Sequence, residues 1–307
     1  LGGGAGVANW HLLHELEAYP EVQVDLVTSG IGGAAEADFS SNIRVYYLDI
    51  GKRAGEEHYQ TNRDLLRYTR QALRKARQLK RASRYDCVHA FFGIPCGWIA
   101  RRLNLPYIVS LRGSDVPFYN RRFAMADRLL FKRLSVDIWR NARFVAANST
   151  GLKQLAEVSA PRQHISVIPN GVDAHYYQPP ARRQNGQDMQ LLCVSRLIAR
   201  KGIDDLLEAL KDQSHVRLVV AGDGNLRHEQ EARAQQTGVH AHFAGRLQRE
   251  ELRRLYRDSD AFVLPSHNEG MSNALLEALA SGLPAIVTDV GGSAELVQDN
   301  GRVIPPG

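Results

Sequence analysis

Two glutamates in the second half of the chain carry the strongest chemical signal. Glu269 and Glu277 are eight residues apart, a little over two turns of a helix, so their carboxylates can contact different parts of one extended ligand. These two side chains predict a site for such a ligand.

The segment around the two glutamates predicts a strand, a turn and a helix. We expect Gly270, Met271, Ser272 and Asn273 to form the first turn of this helix, whose unpaired backbone N–H groups can bind phosphate. An isolated Glu pair at this spacing is more often a helix cap and a solvated side chain. Here the helix is apolar on almost every side, as buried helices are, and a lone carboxylate is costly there unless it has a partner. These apolar surroundings favour a functional role for the two glutamates.

Short β-rich runs alternate with helical patterns along the whole chain, which predicts an α/β fold with parallel sheets covered on both faces. The strands are predicted at 22–28, 43–48, 87–92, 106–111, 144–147, 165–168, 190–194, 216–221, 242–244, 261–264 and 284–288. A polar, turn-rich stretch at 179–187 indicates a linker between two such series. We therefore predict two doubly wound, Rossmann-like domains, residues 1–176 and 177–307, with ligands at the carboxyl ends of their strands.

The composition excludes several classes of protein. The chain has 307 residues, of which 44% are hydrophobic and 23% charged, so it can bury the cores of two domains. It lacks the bias of disordered or collagen-like sequences and the long apolar run of a membrane span. Its three cysteines have no Cys-x-x-Cys spacing, which predicts neither a disulfide framework nor a zinc site and favours a reducing, cytoplasmic compartment.

The excess positive charge lies in the first half of the chain. Residues 1–175 contain 24 Lys and Arg against 16 Asp and Glu, a net charge of +8, whereas the remainder contains 15 against 17, a net charge of −2. A helix predicted over 59–84 carries many of these cations: Arg67, Arg70, Arg74, Lys75, Arg77, Lys80, Arg81 and Arg84. Two interpretations stay open, a solvated helix face or a surface that contacts anionic lipid headgroups. Nucleic acid is disfavoured because aromatic residues do not alternate with the charges.

The order and spacing of several motifs resemble glycosyltransferase family 4, whose members have the GT-B fold of two Rossmann-like domains facing across a cleft. The motifs lie at 3–4, 111–116, 168–173, 194–202, 220–224, 243–247, 264–277 and 291–295, and the seventh contains the family's Glu-x7-Glu pattern. The resemblance implies a retaining enzyme that uses a nucleotide-sugar donor, most commonly a UDP-sugar, without a metal or another cofactor. By the same comparison, we expect the first strand of the N-terminal domain and the last helices of the C-terminal domain to be missing from this sequence.

The resemblance also implies roles for the residues of the second domain. Arg196 and Lys201 would hold the donor diphosphate. Glu269 would contact the donor sugar together with the backbone amides of residues 270–272, and Glu277 would bind the ribose hydroxyls. The leaving phosphate would help to deprotonate the incoming acceptor hydroxyl on the same face of the sugar, which retains the anomeric configuration.

Further donor contacts implied by the resemblance are backbone contacts. The chain around Arg246 and Leu247 would face the nucleotide base. In the first domain, Gly3 and Gly4 lack Cβ atoms, so a turn at these residues would let the backbone approach the diphosphate closely. The resemblance therefore predicts that both domains contact the donor.

The first domain departs from the family pattern at Arg112, where many relatives have a histidine. An arginine cannot act as a base at neutral pH, so we expect Arg112 to stabilise negative charge on the donor or on an acceptor phosphate. Three roles stay open for Asp115: it can orient Arg112, contact the acceptor or cap the following segment. His89 is a candidate near the acceptor, although a single histidine in a strand is more often a core residue. The pair Asp258 and Asp260 precedes a strand, which is the wrong end of the sheet for a metal site.

The sequence therefore predicts a retaining glycosyltransferase that acts in the cytoplasm, at the inner face of a membrane. The first domain would bind a lipid-linked or polysaccharide-precursor acceptor, and the second would bind the donor. Two alternatives share the fold: a nucleotide-sugar epimerase, which needs no acceptor, and a nucleotide-sugar-binding subunit without turnover. A further alternative, a nucleic-acid-binding protein, is supported by the basic helix alone.

Overall fold

The computed structural model describes residues 3–52, 61–119, 130–181 and 188–307. Contacts divide the chain into two compact units. Unit 1 consists of residues 1–148 and 152–169, and unit 2 consists of residues 149–151 and 170–307. The predicted linker at 179–187 lies mostly outside the described residues.

The described part of unit 1 contains seven strands in two hydrogen-bonded sheets. They are β1 (Val24–Ser29), β2 (Ala35–Ser40), β3 (Ile43–Leu48), β4 (Val88–Phe91), β5 (Tyr107–Leu111), β6 (Phe144–Ala147) and β7 (Ser166–Val167). One sheet has the order β1-β3-β2 and the other β4-β5-β6-β7. Two features of these sheets were not predicted from the sequence. No described strand joins the two sheets, and β2 pairs antiparallel with β3. Because the first four residues of β2 are exposed, the strand lacks an apolar pattern that the sequence could reveal.

The helices before residue 170 cover these sheets. They are α1 (Gly3–Leu16), α2 (Asn62–Ala82), α3 (Trp98–Arg101), α4 (Lys132–Asn141) and α5 (Thr150–Ser159). The basic helix is α2, and it begins where the Thr61 side chain accepts from the Asp64 N–H while the Asp64 carboxylate accepts from the Thr61 N–H. This capping box satisfies two N–H groups that the first turn leaves unpaired. None of the helices in the described ranges has the length and hydropathy needed to cross a membrane.

Unit 2 contains one six-stranded parallel sheet. Its strands are β8 (Met189–Val194), β9 (Val216–Ala221), β10 (Ala241–Gly245), β11 (Ala261–Leu264), β12 (Ala285–Thr288) and β13 (Gly301–Ile304). The strand order is β10-β9-β8-β11-β12-β13. The direction of the chain order therefore reverses between β8 and β11. In open α/β sheets, ligands bind beyond the carboxyl ends of the strands at such a reversal.

Helices alternate with the strands of unit 2 and bury both faces of its sheet. They are α6 (Ile203–Ala209), α7 (Arg227–Thr237), α8 (Arg249–Asp258) and α9 (Asn273–Ala280). One apolar cluster includes Leu207 and Leu218, and the other includes Tyr256, Phe262 and Leu275. Strands buried on both faces have nearly continuous apolar sequences, which is why the pattern predicted β8, β9, β11 and β12 to within one residue. The predicted α/β class is confirmed.

Candidate functional site

The loops after β8 and β11 bring two of the predicted site residues into direct contact. Lys201 lies in the loop after β8 and Glu269 in the loop after β11. The Lys201 Nζ donates to Glu269 Oε1, and the two side chains are only 12% and 11% exposed. Ser266 Oγ donates to the same carboxylate oxygen at 2.9 Å. Because both charges are shielded from water, the Coulomb attraction between them is stronger than in a surface pair of the same geometry.

The start of α9 differs from our prediction. Residues 270–272 do not form its first turn, because the helix begins at Asn273 and Ser272 is its N-cap with extended backbone. The Ser272 hydroxyl accepts a hydrogen bond from the Leu275 N–H at 3.3 Å, which satisfies one of the N–H groups at the helix start. Gly270 and Met271 therefore belong to the preceding loop, where both are buried.

Asn170 holds this loop and the helix start together. Its backbone N–H donates to the Met271 sulfur at 3.2 Å, and its side-chain amide donates to Asn273 Oδ1 at 2.8 Å. The motif at 168–173 contains this residue, but the sequence provided no role for it. Its role in the structure is to fix the first helical residue of α9 relative to the loop that contains Glu269.

Glu277 lies in α9 and is 8% exposed. The Tyr256 hydroxyl from α8 donates to Glu277 Oε2 at 2.9 Å. Burial raises the pKa of Glu277 to about 7, and the Tyr256 hydrogen bond, the Arg249 charge and a hydrogen bond with Tyr177 oppose this shift. Glu277 therefore has the partner that a buried carboxylate requires. Sequence reasoning missed Tyr256, because nothing in the sequence indicated that its hydroxyl contacts Glu277.

Glycines let neighbouring loops pack directly against the backbone of the Glu269 loop. Gly202 has a φ of +64°, and a Cβ atom there would overlap the Pro265 carbonyl oxygen. Gly291 has a φ of +55°, and a Cβ atom there would overlap the carbonyl oxygen of Glu269. The next residue, Gly292, donates its N–H to the Gly270 carbonyl at 2.5 Å. The motif at 291–295 thus supports the Glu269 loop from one side, and the loop that contains Lys201 supports it from the other.

The remaining predicted residues of unit 2 lie at the same edge of the sheet. Arg196 follows β8 and is half-buried, whereas Arg246 and Leu247 follow β10. The loops after β9 and β10 are joined by a hydrogen bond from the Gly222 N–H to the Gly245 carbonyl at 2.7 Å. All predicted donor contacts of unit 2 except Glu277 therefore lie in loops at the carboxyl ends of β8, β10 and β11 or at the start of α9. Asp260, in contrast, lies directly before β11, as expected.

In unit 1, Asp115 binds the backbone of two loops. Its Oδ1 accepts from the N–H groups of Arg112 and Gly113, each at 2.9 Å, and its Oδ2 accepts from the Gly93 N–H at 2.7 Å. The side chain is buried, and burial raises the pKa of Asp115 while the backbone hydrogen bonds oppose this shift. Of the three roles that the sequence left open, the structure shows a form of the first: Asp115 fixes the backbone of Arg112.

His89 lies on β4, and Arg112 directly follows the neighbouring strand β5. The Arg112 guanidinium carbon is 3.8 Å from the centre of the Phe91 ring, a cation–π contact. Burial lowers the pKa of Arg112 to about 10, against the opposing effect of Asp115, so the side chain stays cationic at neutral pH. His89 is exposed and its Nε2 is 2.8 Å from the Ser110 hydroxyl oxygen. His89 thus lies at the surface rather than in the core, but the protein around the ring desolvates it and, with the Arg112 charge, lowers its pKa to about 4.

Gly3 and Gly4 form the start of a helix rather than a turn. Gly3 is the first residue of α1, so the turn predicted at these residues is wrong. The helix contains Ala5, Ala8, Leu12 and Leu13, which favour helix formation, and it extends back through both glycines. The small size of the two residues, on which the predicted diphosphate contact depends, is unaffected by this difference.

Two family models match the chain. One, described as Glycosyltransferase Family 4, matches residues 2–176, and the other, described as Glycosyl transferases group 1, matches residues 178–307. Among curated relatives, the putative teichuronic acid biosynthesis glycosyltransferase TuaC of Bacillus subtilis is 32% identical over 69% of this chain and 55% of its own length. The D-inositol 3-phosphate glycosyltransferase of Xylanimonas cellulosilytica is 27% identical over 97% of this chain and 79% of its own length.

Solved structures have the same fold. The sucrose-phosphate synthase of Thermosynechococcus elongatus superposes with a TM-score of 0.84 at 21% identity, over 99% of this chain and 81% of its own. The HepE protein of Anabaena, solved in complex with UDP-glucose, superposes with a TM-score of 0.70 at 19% identity, over 100% of this chain and 83% of its own.

The match with several of the curated relatives spans only 41–60% of their own length.

Proposed function

Because the chain belongs to glycosyltransferase family 4 and has the GT-B fold, we propose that it transfers a sugar from a nucleotide-sugar donor to an acceptor hydroxyl. The observation that carries this proposal is the contact of Lys201 and Ser266 with Glu269 at the reversal of strand order in unit 2. A cation for the diphosphate and a carboxylate for sugar hydroxyls lie side by side where ligands bind to open α/β sheets. This combination fits a sugar linked to a diphosphate.

The proposed reaction needs stabilisation of the leaving group. Cleavage of the bond between sugar and diphosphate places negative charge on the phosphate oxygens, and fixed positive groups lower the barrier most when they are already in place. Arg196 and Lys201 would supply this charge, so we propose a reaction without a metal or another cofactor. We also propose that the anomeric configuration is retained, with the leaving phosphate taking the proton of the acceptor hydroxyl on the same face.

In this proposal the two carboxylates bind different parts of the donor. Glu269 accepts hydrogen bonds from hydroxyls of the donor sugar, next to the backbone amides of Gly270, Met271 and Ser272. Glu277 accepts from the ribose hydroxyls, and the backbone at residues 246–247 contacts the base. In unit 1, Gly3 and Gly4 contact the diphosphate and Arg112 stabilises negative charge on the donor or on an acceptor phosphate.

The test replaces these groups one at a time. Glu269→Ala should abolish transfer while the circular dichroism spectrum stays that of a folded protein, although the unfolding midpoint should fall because Lys201 loses the partner of a mostly buried ion pair. Arg196→Ala should weaken UDP binding by at least tenfold in calorimetry, because a cation that contacts phosphate is lost. Arg217→Ala, an exposed arginine on β9, is the control and should leave binding unchanged. Undiminished transfer by the Glu269 variant would refute the role of this carboxylate.

For the donor, we propose a UDP-sugar, because the HepE protein of similar fold was solved with UDP and with UDP-glucose. For the acceptor, we propose a lipid-linked or polysaccharide-precursor glycan, a class that fits the name of TuaC. Radiolabelled UDP-sugars incubated with bacterial membrane extracts should yield a labelled, extractable product. Donor consumption without any acceptor product would instead indicate an epimerase, and UDP binding without turnover a subunit that only binds.

We further propose that the protein works in the cytoplasm, with α2 against the anionic inner face of a membrane. Arg70, Arg74, Arg77 and Arg81 are all exposed and are spaced so that they share one face of α2. Nearby, Leu66 is 65% exposed. Each such cation near an anionic surface contributes about 1 kcal/mol to binding, so the face is sufficient for a weak, salt-dependent attachment.

Vesicle sedimentation tests the proposed attachment. The protein should sediment with phosphatidylserine vesicles at low salt and should not sediment with phosphatidylcholine vesicles. The double variant R74E/R77E should lower the partition coefficient at least tenfold, because each reversal changes the charge by two. R217E/R257E makes the same change of charge at exposed positions of unit 2 and should retain most of the binding. Equal losses in both double variants would contradict a specific role for α2.

A further inference from the structure

We propose that Ser266 is a positioning residue for Glu269, which it holds through one carboxylate oxygen so that the other is left for the donor sugar. This inference rests on the proposed role of Glu269 as a ligand of that sugar. Ser266 belongs to the strand-to-loop junction after β11 and lies within the motif at 264–277, but the family resemblance gave it no role in the site.

The two oxygens of the Glu269 carboxylate have different surroundings. Oε1 accepts from Ser266 Oγ at 2.9 Å and also from Lys201 Nζ. Within the described part of the chain, no side chain or backbone group donates a hydrogen bond to Oε2. A carboxylate oxygen accepts about two hydrogen bonds, so the two donors saturate Oε1. Oε2 is therefore the oxygen that can accept a hydrogen bond from a ligand.

Ser266 is the more rigid of the two donors. Its side chain is fully buried, and its carbonyl oxygen accepts from the Thr288 hydroxyl at 2.5 Å. Thr288 ends the neighbouring strand β12 and is itself buried. Its single hydroxyl proton is closest to the Ser266 carbonyl, with the Leu264 carbonyl farther away at 3.3 Å, so this hydrogen bond ties the junction that carries Ser266 to β12. Lys201, in contrast, reaches Glu269 through a flexible four-carbon chain.

This difference determines which donor orients the carboxylate. The last torsion of a glutamate side chain is broad, so the plane of its carboxylate is set by its hydrogen bonds rather than by a steep torsional preference. The lysine ammonium can follow the carboxylate as it rotates, but the buried serine hydroxyl cannot. We therefore expect Lys201 to neutralise the charge of Glu269 and Ser266 to fix its orientation. Catalytic groups lose much of their effect when they are displaced by as little as 1 Å.

The first experiment is Ser266→Ala, which removes one hydroxyl and leaves the Lys201 ion pair in place. UDP contains no donor sugar, so its calorimetric affinity should stay within twofold of the wild type. The rate of UDP release from the UDP-sugar that the wild type hydrolyses best should fall at least tenfold. Equal losses in UDP affinity and turnover would indicate a general structural role and would overturn the proposal.

Ser259→Ala is the matched control. Ser259 lies directly before β11, at the opposite end of the strand from Ser266, is 1% exposed and donates to the Leu255 carbonyl at 2.7 Å. Its loss removes a buried hydroxyl of the same unit that bonds the Leu255 carbonyl and the Gln190 side-chain amide and lies at the other end of the strand from Glu269. We expect UDP affinity and turnover to stay near wild-type values. A decrease in turnover as large as that of the Ser266 variant would overturn the proposal.

A second variant tests the proposal even if Ser266→Ala does not fold. Thr288→Val keeps the shape of the side chain but removes the hydrogen bond to the Ser266 carbonyl, so it should lower turnover in the same selective way by a smaller factor. Unchanged turnover in a folded Thr288 variant would contradict the argument from rigidity.

A structural measurement separates the two proposals. In crystals of the Ser266 variant, the Glu269 carboxylate should be rotated or present in two orientations, and an unchanged single orientation would overturn the positioning role. This result does not require activity. If the wild type neither binds UDP nor hydrolyses any UDP-sugar, the proposed function fails, while the orientation of Glu269 still decides the role of Ser266.

Discussion

The buried carboxylates of this protein differ in how their negative charge is compensated. Asp115 accepts three backbone N–H groups, and Glu269 has a lysine and a serine hydroxyl. Glu277 accepts a hydrogen bond from the Tyr256 hydroxyl at Oε2, and the charge of Arg249 lowers its pKa by less than this hydrogen bond does. Desolvation raises the pKa of Asp115 and of Glu277, and their hydrogen-bond donors oppose this shift. For Glu277, desolvation outweighs the Tyr256 hydrogen bond and the Arg249 charge, so its pKa is about 7.

Replacing Glu277 with glutamine should change how stability depends on pH. The folded pKa of about 7 lies above the ordinary value of 4.5, so the folded state binds this proton more tightly than the unfolded state. The stabilisation is complete below about pH 4.5 and is lost as the pH rises through 7, a change of about 3 kcal/mol. Because glutamine does not titrate, E277Q should gain stability relative to the wild type between pH 5 and pH 8 in urea unfolding. An equal difference at both pH values would contradict the buried, titrating carboxylate.

Asp115→Asn should be one of the most costly isosteric substitutions in unit 1. The amide NH₂ group would face a backbone N–H that now donates to a carboxylate oxygen, so at least one buried donor would lose its acceptor. We expect a loss of about 2–4 kcal/mol in the free energy of unfolding. Asp137→Asn is the control, because this exposed carboxylate pairs with Arg101 at the surface and such pairs contribute less than about 1 kcal/mol. Similar losses in the two variants would refute the role of Asp115.

At the scale of elements, burial decided what the sequence could predict. The strands of the unit 2 core have apolar runs and were located closely, whereas β2 and β13 are edge strands with mostly exposed side chains. The Glu-x7-Glu spacing predicted one helix beginning near Glu269. The structure places Glu269 in the loop because the Ser272 hydroxyl caps the helix three residues later. A cap depends on side-chain geometry, and several small polar residues in this segment could have provided it.

Gly202→Ala and Gly238→Ala separate two costs of replacing a glycine. Each of these glycines directly follows a helical segment and has a left-handed backbone, with φ values of +64° and +70°, where an L-residue costs about 1 kcal/mol. A Cβ atom at Gly238 would meet nothing within 4 Å, whereas one at Gly202 would overlap the Pro265 carbonyl oxygen.

We expect Gly238→Ala to cost about 1 kcal/mol and to leave UDP binding unchanged. Gly202→Ala should cost clearly more, because the loops that carry Lys201 and Glu269 must move apart, and it should also weaken UDP binding. Urea unfolding and calorimetry of the two variants measure these effects. Equal effects would show that the two loops are not held in close contact by Gly202.

For the whole molecule, the least predictable feature was the contact between distant parts of the sequence. Lys201 and Glu269 are 68 residues apart, and the sequence predicted only that each follows a strand of the same sheet. Their contact depends on β8 and β11 being neighbours, which follows from the strand order rather than from either segment. The order 10-9-8-11-12-13 cannot be derived from hydrophobic patterns, because every buried parallel strand has the same pattern.

The same contact leads to a prediction about the stability of the whole molecule. A ligand that binds only the folded state stabilises it by RT ln(1 + [L]/Kd), which is about 2.7 kcal/mol at a hundredfold excess over Kd. If the diphosphate is the part of the donor held by Arg196 and Lys201, then UDP should raise the unfolding temperature more than UMP, and UMP more than uridine. Arg196→Ala should reduce the advantage of UDP over UMP, because that advantage arises from the second phosphate. Differential scanning calorimetry at matched ligand concentrations measures all three shifts, and equal shifts for UDP and UMP would exclude a diphosphate site in this protein.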